Sequence, residues 1–523
     1  MRRSTKPAPV KRVLTALAAL ALIALMAAGC GGGGSSSGEA DDTAAVKPGG
    51  VLTAALAAEP KELLPTVAIG GPEAQILSQI LDTLFRTDAE GGTEPWLVTD
   101  YSKSADNLTW TLQLKGGVRF SDGKPLTAED VVFSLDAVRK SVNWETLFAE
   151  ITKVSAPSKD TVVITTEKPA PALPSQLSLY AAGIVPANYG GVSEEQFAQH
   201  PIGSGAFALG PWKRGESITL VPNPHFWKSG QPALEKVIFK NVPEDTARDS
   251  QLEGGQLDLI TYPNWAQLSN LSSNPDLRVG VYESGFTNSL VFNVRTPLFQ
   301  NAKVRKAVNL AIDRDSIAKV ALGGYGEVAG SWFGPAILYH DASIKPPAQD
   351  VSEAKDLLAS AVKQGADPNF SLLVESGNSQ EGLAGQIIQQ NLEEVGFKVA
   401  IEPLDGTTQL ERLATGKYEA SLIKYSTDIG DPSESASFYT TYEGFFAGAD
   451  VSAVTDLSAE AATEVNPEKR RHLYYEIQEA INEEENLLPL NYQPYTWGMT
   501  ADLAGFSVNA SNVISLATTG FAE

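Results

Sequence analysis

Apolar and polar positions change rhythm along this chain, and the rhythm divides it. Residues 13–28, VLTALAALALIALMAA, are one unbroken apolar run. From Val51 the pattern shortens: Val51–Leu56 and Asp160–Thr166 read as strands, and Trp110, Leu112 and Leu114 alternate with polar residues as in a half-buried strand. Ile76, Ile80 and Leu84 recur at i, i+4 and i+8, which predicts a helix over Glu73–Arg86. Asp122-Gly123-Lys124-Pro125 is a turn, and Thr127 to Asp130 caps a helix running to about Lys140. Ser217–Val221, Lys236–Lys240 and Arg278–Tyr282 are further strands, separated by Pro, Asn and Gly turns. This half is expected to be α+β with a large antiparallel component.

The second half alternates differently. Leu290–Val294 is a strand, and Val304, Val308 and Ala311 mark a helix. Then come a helix at Ser352–Lys363, a strand at Phe370–Glu375, a helix at Glu381–Val395 and a strand at Lys398–Pro403. A helix at Thr407–Thr415 and a strand at Ala420–Lys424 follow. Strands and helices at this spacing predict βαβ units and a mostly parallel sheet. Leu473, Ile477 and Ile481 form one face of a later helix, and residues 489–500 return to aromatic, strand-like chain. No internal repeat is visible.

The 523 residues are 43% hydrophobic, enough for several cores. At about 100–200 residues per domain, that length implies two to four domains. The 40 basic residues against 63 acidic ones leave a net charge of −23. Arg2, Arg3, Lys6, Lys11 and Arg12 all fall in the leader, so the body is more acidic still. Such a body repels phosphate backbones, and nucleic acid is excluded as a partner. The single Cys excludes a disulfide framework and any multi-Cys metal site. The four His (His200, His225, His340 and His472) are far apart, and no cofactor or metal is expected.

The apolar run is short for a membrane span, which needs about 20 residues. A basic start, an apolar run and then small residues make a secretory signal peptide. It ends in Ala27-Ala28-Gly29-Cys30, which resembles the bacterial lipobox, although Ala27 stands where Leu is usual. Cys30 is therefore expected to carry the lipid. The glycines and serines of residues 31–38 would be a flexible tether between the lipid and a folded body.

Catalytic signatures are scarce. Gly203-Ser204-Gly205 lacks the spacing of a nucleophile elbow, and no H-E-x-x-H occurs. Gly117 to Lys124 has the wrong gap for a phosphate loop. Acidic residues are too numerous for a glycosidase pair to be read from residue type. The chain is not expected to be an enzyme.

Four stretches carry a resemblance. They are Leu108–Val138 (LTWTLQLKGGVRFSDGKPLTAEDVVFSLDAV), Pro201–Trp227 with its PIGSGAF and NPHFW ends, Asp245–Asp258, and Phe292–Gly323 with its VRKAVNLAIDR core. In order and spacing they resemble bacterial extracellular solute-binding protein family 5, the large dipeptide-, oligopeptide- and nickel-binding proteins of ABC importers. The resemblance implies an α/β, two-lobe clamp of the periplasmic-binding-protein kind, type II, with an extra subdomain in lobe I. It implies lobe I at 50–66, 200–286 and 493–523, the extra subdomain at 67–199 and lobe II at 287–492. Residues 1–29 are then the signal peptide and 30–49 the lipidated Cys and tether. Chain crossings near Ser284–Leu290 and Leu488–Gln493 would form the hinge about which the lobes close on a ligand. Arg305 and Asp313 are read as structural charges.

Ligands of parallel α/β sheets sit beyond the carboxyl ends of the strands. Tyr425-Ser426-Thr427-Asp428 follows directly on the strand Ala420–Lys424. In peptide-binding relatives an acidic residue of this loop takes the ligand's α-ammonium, and Asp428 occupies that position. Asp431, before Pro432, reads as a turn or helix cap. Tyr425 and Thr427 flank Asp428, and Tyr180, Tyr262, Trp265 and Trp332 are loop aromatics suited to a cleft. Trp332, in Gly330-Ser331-Trp332-Phe333-Gly334, is expected on an exposed loop. The dipeptide binders also carry an Arg for the ligand carboxylate before the helix corresponding to Glu381–Val395. Residues 375–385 here hold no Arg or Lys.

The expected function is capture of a small solute, a peptide first of all, and delivery to the permease of an ABC importer. The expected protein is an exported monomer, held by lipid at the outer face of the cell membrane. A surface receptor of the same fold for sugars or other solutes, a signalling receptor and an exported hydrolase are the competing readings.

Overall fold

The computed structural model describes residues 45–522, so the leader, Cys30 and the Gly/Ser tether lie outside the described residues. The alternation around Val51 does make a strand. Val51–Leu56 buries Leu52, Ala54 and Leu56 and runs parallel to Lys236–Asn241 and to Leu259–Thr261. The strand is central in a seven-stranded sheet that also contains Phe207–Lys213, Ser217–Pro222, Leu277–Tyr282 and Tyr495–Thr500. Beside it stands a four-stranded antiparallel sheet in the order Val98–Lys103, Thr109–Leu114, Thr161–Thr166 and Ile151–Ser158. The helix Ala128–Val138 packs against it and starts as the sequence predicts. Thr127 and Asp130 close a capping box, in which the Thr127 N–H donates to Asp130 Oδ2 at 2.7 Å.

The second body is a six-stranded sheet between two layers of helices. Leu290, Phe292, Leu372, Val374 and Leu422 join the core on one face, with the helices Ala302–Ala311, Val351–Lys363 and Ser379–Val395. Val291, Leu373 and Ile423 join the core on the other, with Ser433–Thr441, Ser452–Ala461 and Pro467–Glu484. This strict alternation is what buries both faces of a sheet.

The sheet is not mostly parallel. Of its five neighbouring pairs only two are parallel, Asn369–Glu375 with Lys398–Leu404 and with Ala420–Tyr425. Thr287–Phe292 is antiparallel to both its neighbours, Ala420–Tyr425 and Leu487–Tyr492. Thr287–Phe292 carries the chain into this body and Leu487–Tyr492 carries it out, so two adjacent strands with one end each at the crossing must run in opposite senses. The crossings touch. Ser284 Oγ donates to the Gln493 carbonyl, and the Gln493 N–H donates to the Phe286 carbonyl at 3.2 Å.

The predicted helix Glu73–Arg86 is also shorter than its apolar spacing suggests. It spans Gly71–Ile80, and Phe85–Thr87 is a short strand paired with Thr93–Pro95. Asp82, completely buried, explains the early stop. Its carboxylate accepts from Trp96 Nε1 at 2.7 Å, Ser204 Oγ at 2.9 Å and Trp227 Nε1 at 3.0 Å. Those donors come from three other segments, and reaching them takes the chain out of the helix. Among the described residues no helix is long and apolar enough to cross a membrane.

Candidate ligand-binding cavity

A cavity of about 360 Å³ opens beside the helix Gly71–Ile80, the Phe85–Thr87 hairpin, Tyr180 and the chain from Ser507 to Ala517. That lies within the range of small-molecule sites, about 300–1,000 Å³. The helix builds one wall through two buried amides. Gln75 Oε1 accepts the Ile514 N–H at 3.0 Å, and Gln79 accepts from the Leu516 N–H at 3.1 Å while donating to the Ile514 carbonyl at 2.8 Å. These side chains pair with residues 514–516 as a neighbouring strand would, which satisfies buried polar groups that would otherwise be costly.

Of the residues on the six-stranded side, Asp428 lines this cavity. It follows the carboxyl end of Ala420–Tyr425, at the parallel part of that sheet. Its backbone is held: its N–H donates to Glu434 Oε2 at 3.0 Å, and its carbonyl accepts from Ser511 Oγ at 3.0 Å. Its carboxylate oxygens have no hydrogen bond or ion pair among the described residues, and the residue is exposed at the cavity wall. Protein packed around the exposed carboxyl displaces part of its hydration, and this desolvation pushes the Asp428 carboxyl up to about 6. Glu434, buried and facing the charge of Asp428, is pushed up as well. The pair titrates jointly and holds its protons more tightly than isolated carboxyls do. A carboxylate in that condition is relieved by a cation, and an ammonium in the cavity would supply one.

The other candidates scatter. Tyr180 lines the cavity, and its phenol donates to the Ala68 carbonyl at 3.3 Å. Burial, with the charges of Asp428 and Glu73, pushes that phenol above its ordinary value. Trp332 is not on an exposed loop. It is 0% exposed and stacked on Tyr425, ring centroids 4.6 Å apart. Its glycines serve close packing instead: a Cβ on Gly334 would lie 2.6 Å from the Gly285 backbone. Tyr425 packs in turn on Phe438 at 4.5 Å, and Thr427 is buried beside the crossing at Gly285. These three residues support the Asp428 loop from behind and do not line the cavity. Tyr262 stands behind the opposite wall, where its phenol oxygen accepts from Asn512 Nδ2 at 2.6 Å. Trp265 lies outside the cavity, tilted against Tyr325 at 6.5 Å.

Asp431 does begin a turn, accepting the Ser433 N–H at 3.0 Å, but it does more. Arg470 grips its carboxylate with two bonds of 2.7 and 2.8 Å, and both side chains are 4% exposed. Burial opposes the Asp431 charge, yet the guanidinium outweighs it and holds the carboxyl below its usual range. Arg305 is structural, as expected: it donates to the Phe299 and Glu484 carbonyls, and Asp313 caps the helix Arg314–Ala321.

The hairpin tip closes on the Asp428 loop. A Cβ on Gly430 would lie 2.3 Å from the Gly91 carbonyl oxygen, and one on Gly91 would lie 2.3 Å from that of Ala336. Only glycine allows this approach. No local pattern in the chain announces this contact, the 507–517 wall or Arg86, which also lines the cavity. The cluster Asn509-Ala510-Ser511-Asn512 was a weak turn signal at most.

A profile described as bacterial extracellular solute-binding proteins, family 5 middle, matches residues 92–446. The chain belongs to this family. The glutathione-binding protein GsiB of Escherichia coli O1:K1 is 27% identical over 447 residues, covering 81% of this chain and 85% of the relative. GsiB of Salmonella typhimurium is likewise 27% identical, over 442 residues. Among solved structures, the periplasmic binding protein DppA of Helicobacter pylori, in complex with the peptide STSA, is 26% identical. Its TM-score is 0.74, and the match covers 90% of this chain and 99% of that one. The substrate-binding protein CtaP of Listeria monocytogenes has a TM-score of 0.83 at 22% identity, covering 91% and 100%. The fold is the two-lobe α/β clamp of the family, and the two touching crossings are where its bodies join.

Proposed function

We propose that this protein is the solute receptor of an ABC importer and that its ligand is a peptide. The lobes capture the peptide in the cavity beside Asp428, and a membrane permease receives it. The observation that carries this reading is Asp428 itself: a carboxylate with no hydrogen bond or ion pair among the described residues, on the wall of a cavity of small-molecule size in a solute-binding protein, with its pKa raised. The peptide and glutathione named with DppA and GsiB support the same choice.

In this reading the protein is a receptor and performs no catalysis. Cys30 carries a lipid after removal of residues 1–29, and residues 30–49 tether the body to the outer face of the membrane. Residues 50–66, 200–286 and 493–523 act as lobe I, 67–199 as its extra subdomain and 287–492 as lobe II, in a monomer. Asp428 and Tyr180 touch the ligand, while Tyr425, Thr427 and Trp332 hold the Asp428 loop in place.

Native mass spectrometry of the purified protein, followed by calorimetric titration with short peptides, tests the proposal. Retained or titrated peptide is the expected result. Retention of a sugar or another solute without an amine, together with no heat from any peptide, would refute it.

A further inference from the structure

The cavity also holds a cation that the Asp428 reading leaves unused. Arg86 projects from the strand Phe85–Thr87 into the lining. Its guanidinium carbon sits 3.3 Å from the centroid of Trp96. Stacking on a ring orients the planar fork while consuming none of its five N–H donors. Its nearby carboxylate is Asp82, with Nη2 3.5 Å from Oδ1, too long for a strong hydrogen bond. Asp82 is in any case occupied by the two indole N–H groups and the Ser204 hydroxyl. Among the described residues no hydrogen bond leaves the Arg86 guanidinium.

The remaining surroundings carry both signs: Glu94 stands opposite Arg86 across the hairpin and lines the cavity with Asp88, while two lysines approach from the other side. Lys228 Nζ lies 3.8 Å from the same Trp96 ring, and Lys115 Nζ lies 4.6 Å from the ring of Trp227, which meets Trp96 edge-on. Burial lowers the pKa of Arg86 despite the attraction of Asp82 and Glu94, and burial followed by repulsion from Arg86 lowers that of Lys228. The Arg86 side chain is 28% exposed while that of Asp82 is fully covered, so the open part of the pair is the cation.

We infer that Arg86 is the anion-receiving residue of this cavity, taking the carboxylate of a peptide whose ammonium pairs with Asp428. The solute class is then a short peptide or amino-acid derivative with both ends charged. This segment is distant in sequence from residues 375–385, which lack a basic side chain, so the hairpin and not that loop offers the cation. The inference rests on the peptide reading above.

The test compares two probes: a pool of short peptides with free termini, and the same pool amidated at the C-terminus. Wild type should prefer the free acid by roughly 10- to 150-fold, the range for a hydrogen bond to a charged group. Arg86→Gln should bind acid and amide alike, at the affinity wild type shows for the amide. Arg86→Lys should keep part of the preference. Asp428→Asn should weaken both pools and leave their ratio unchanged. Thermal unfolding without peptide checks that each variant folds, and if Arg86→Gln does not, the wild-type ratio and Arg86→Lys decide. The inference is overturned if wild type binds both pools equally, if Arg86→Gln keeps the preference, or if it loses both pools in proportion. Binding of neither pool by wild type refutes the peptide reading itself and the inference with it, a pattern distinct from equal binding of both.

Discussion

Replacing Asp428 by Asn removes a charge and little else, because the hydrogen bonds of this residue run through its backbone N–H and carbonyl. The effect should have opposite signs in the free and the loaded protein. Burial raises the carboxyl from 3.8 to about 6. A shift of roughly two units at about 1.4 kcal/mol each would amount to about 3 kcal/mol, and the solvent exposure of Asp428 reduces it to about 1 kcal/mol. The folded pKa lies above the unfolded one. The stability linked to this group is therefore fully present below 3.8 and is lost as pH rises through about 6. The empty Asn variant should thus be about 1 kcal/mol more stable than wild type near neutral pH, and the gain should fade as pH drops from 6 towards 4. Glu434 shifts in the same direction and does not alter the sign. With an amine-bearing peptide the order reverses: the lost charge-assisted bond costs about 1.5–3 kcal/mol, roughly 10- to 150-fold in affinity. Wild-type affinity should also fall as pH drops through about 6, and the variant should lack that dependence. Denaturant unfolding without peptide and calorimetry with it, each across pH, measure both arms. A variant less stable than wild type at neutral pH, or one that binds amine-bearing peptides equally well, would refute the reasoning.

Arg470→Ala should destabilise the protein by about 3–5 kcal/mol, because it strands the buried Asp431 carboxylate; urea unfolding measures it, and the double change Arg470→Ala with Asp431→Ala should recover part of the loss. Gly430→Ala should hold the clamp ajar, since the added methyl would sit 2.3 Å from the Gly91 oxygen; X-ray scattering should show wild type contracting on peptide binding and the variant not contracting. Trp332→Ala should cost about 3–5 kcal/mol through the void left beneath Tyr425, read by denaturant unfolding, with peptide affinity lowered only through a loosened Asp428 loop. Cys30→Ser should move the protein from the membrane fraction to the soluble one with its fold intact, as judged by circular dichroism.

What could be read from the sequence alone was whatever depends on neighbours in the chain. Alternation at Val51–Leu56 and Thr161–Thr166, the Thr127 cap and the βαβ spacing after Asn369 are local periodicities, and each element formed where its period places it. The place of Asp428 on the cavity wall was legible for the same reason, because ligand clefts of such sheets lie beyond the carboxyl ends of the parallel strands. Decisions between distant segments belonged to the tertiary structure. The helix Gly71–Ile80 stops early because Asp82 needs donors at Trp96, Ser204 and Trp227, which no local period can announce. The direction of Thr287–Phe292 follows from where the chain crosses between bodies, and its own residues are compatible with either sense. The glycines around Trp332 looked like loop signals, yet in the fold they allow backbone to approach backbone and so bury the ring. Arg86 and the 507–517 wall reached the cavity only when segments more than four hundred residues apart came together, as Gln75 and Ile514 do. Periodicity specifies which face of an element is buried. It carries no information on which other face covers it, and a binding site is made of such meetings.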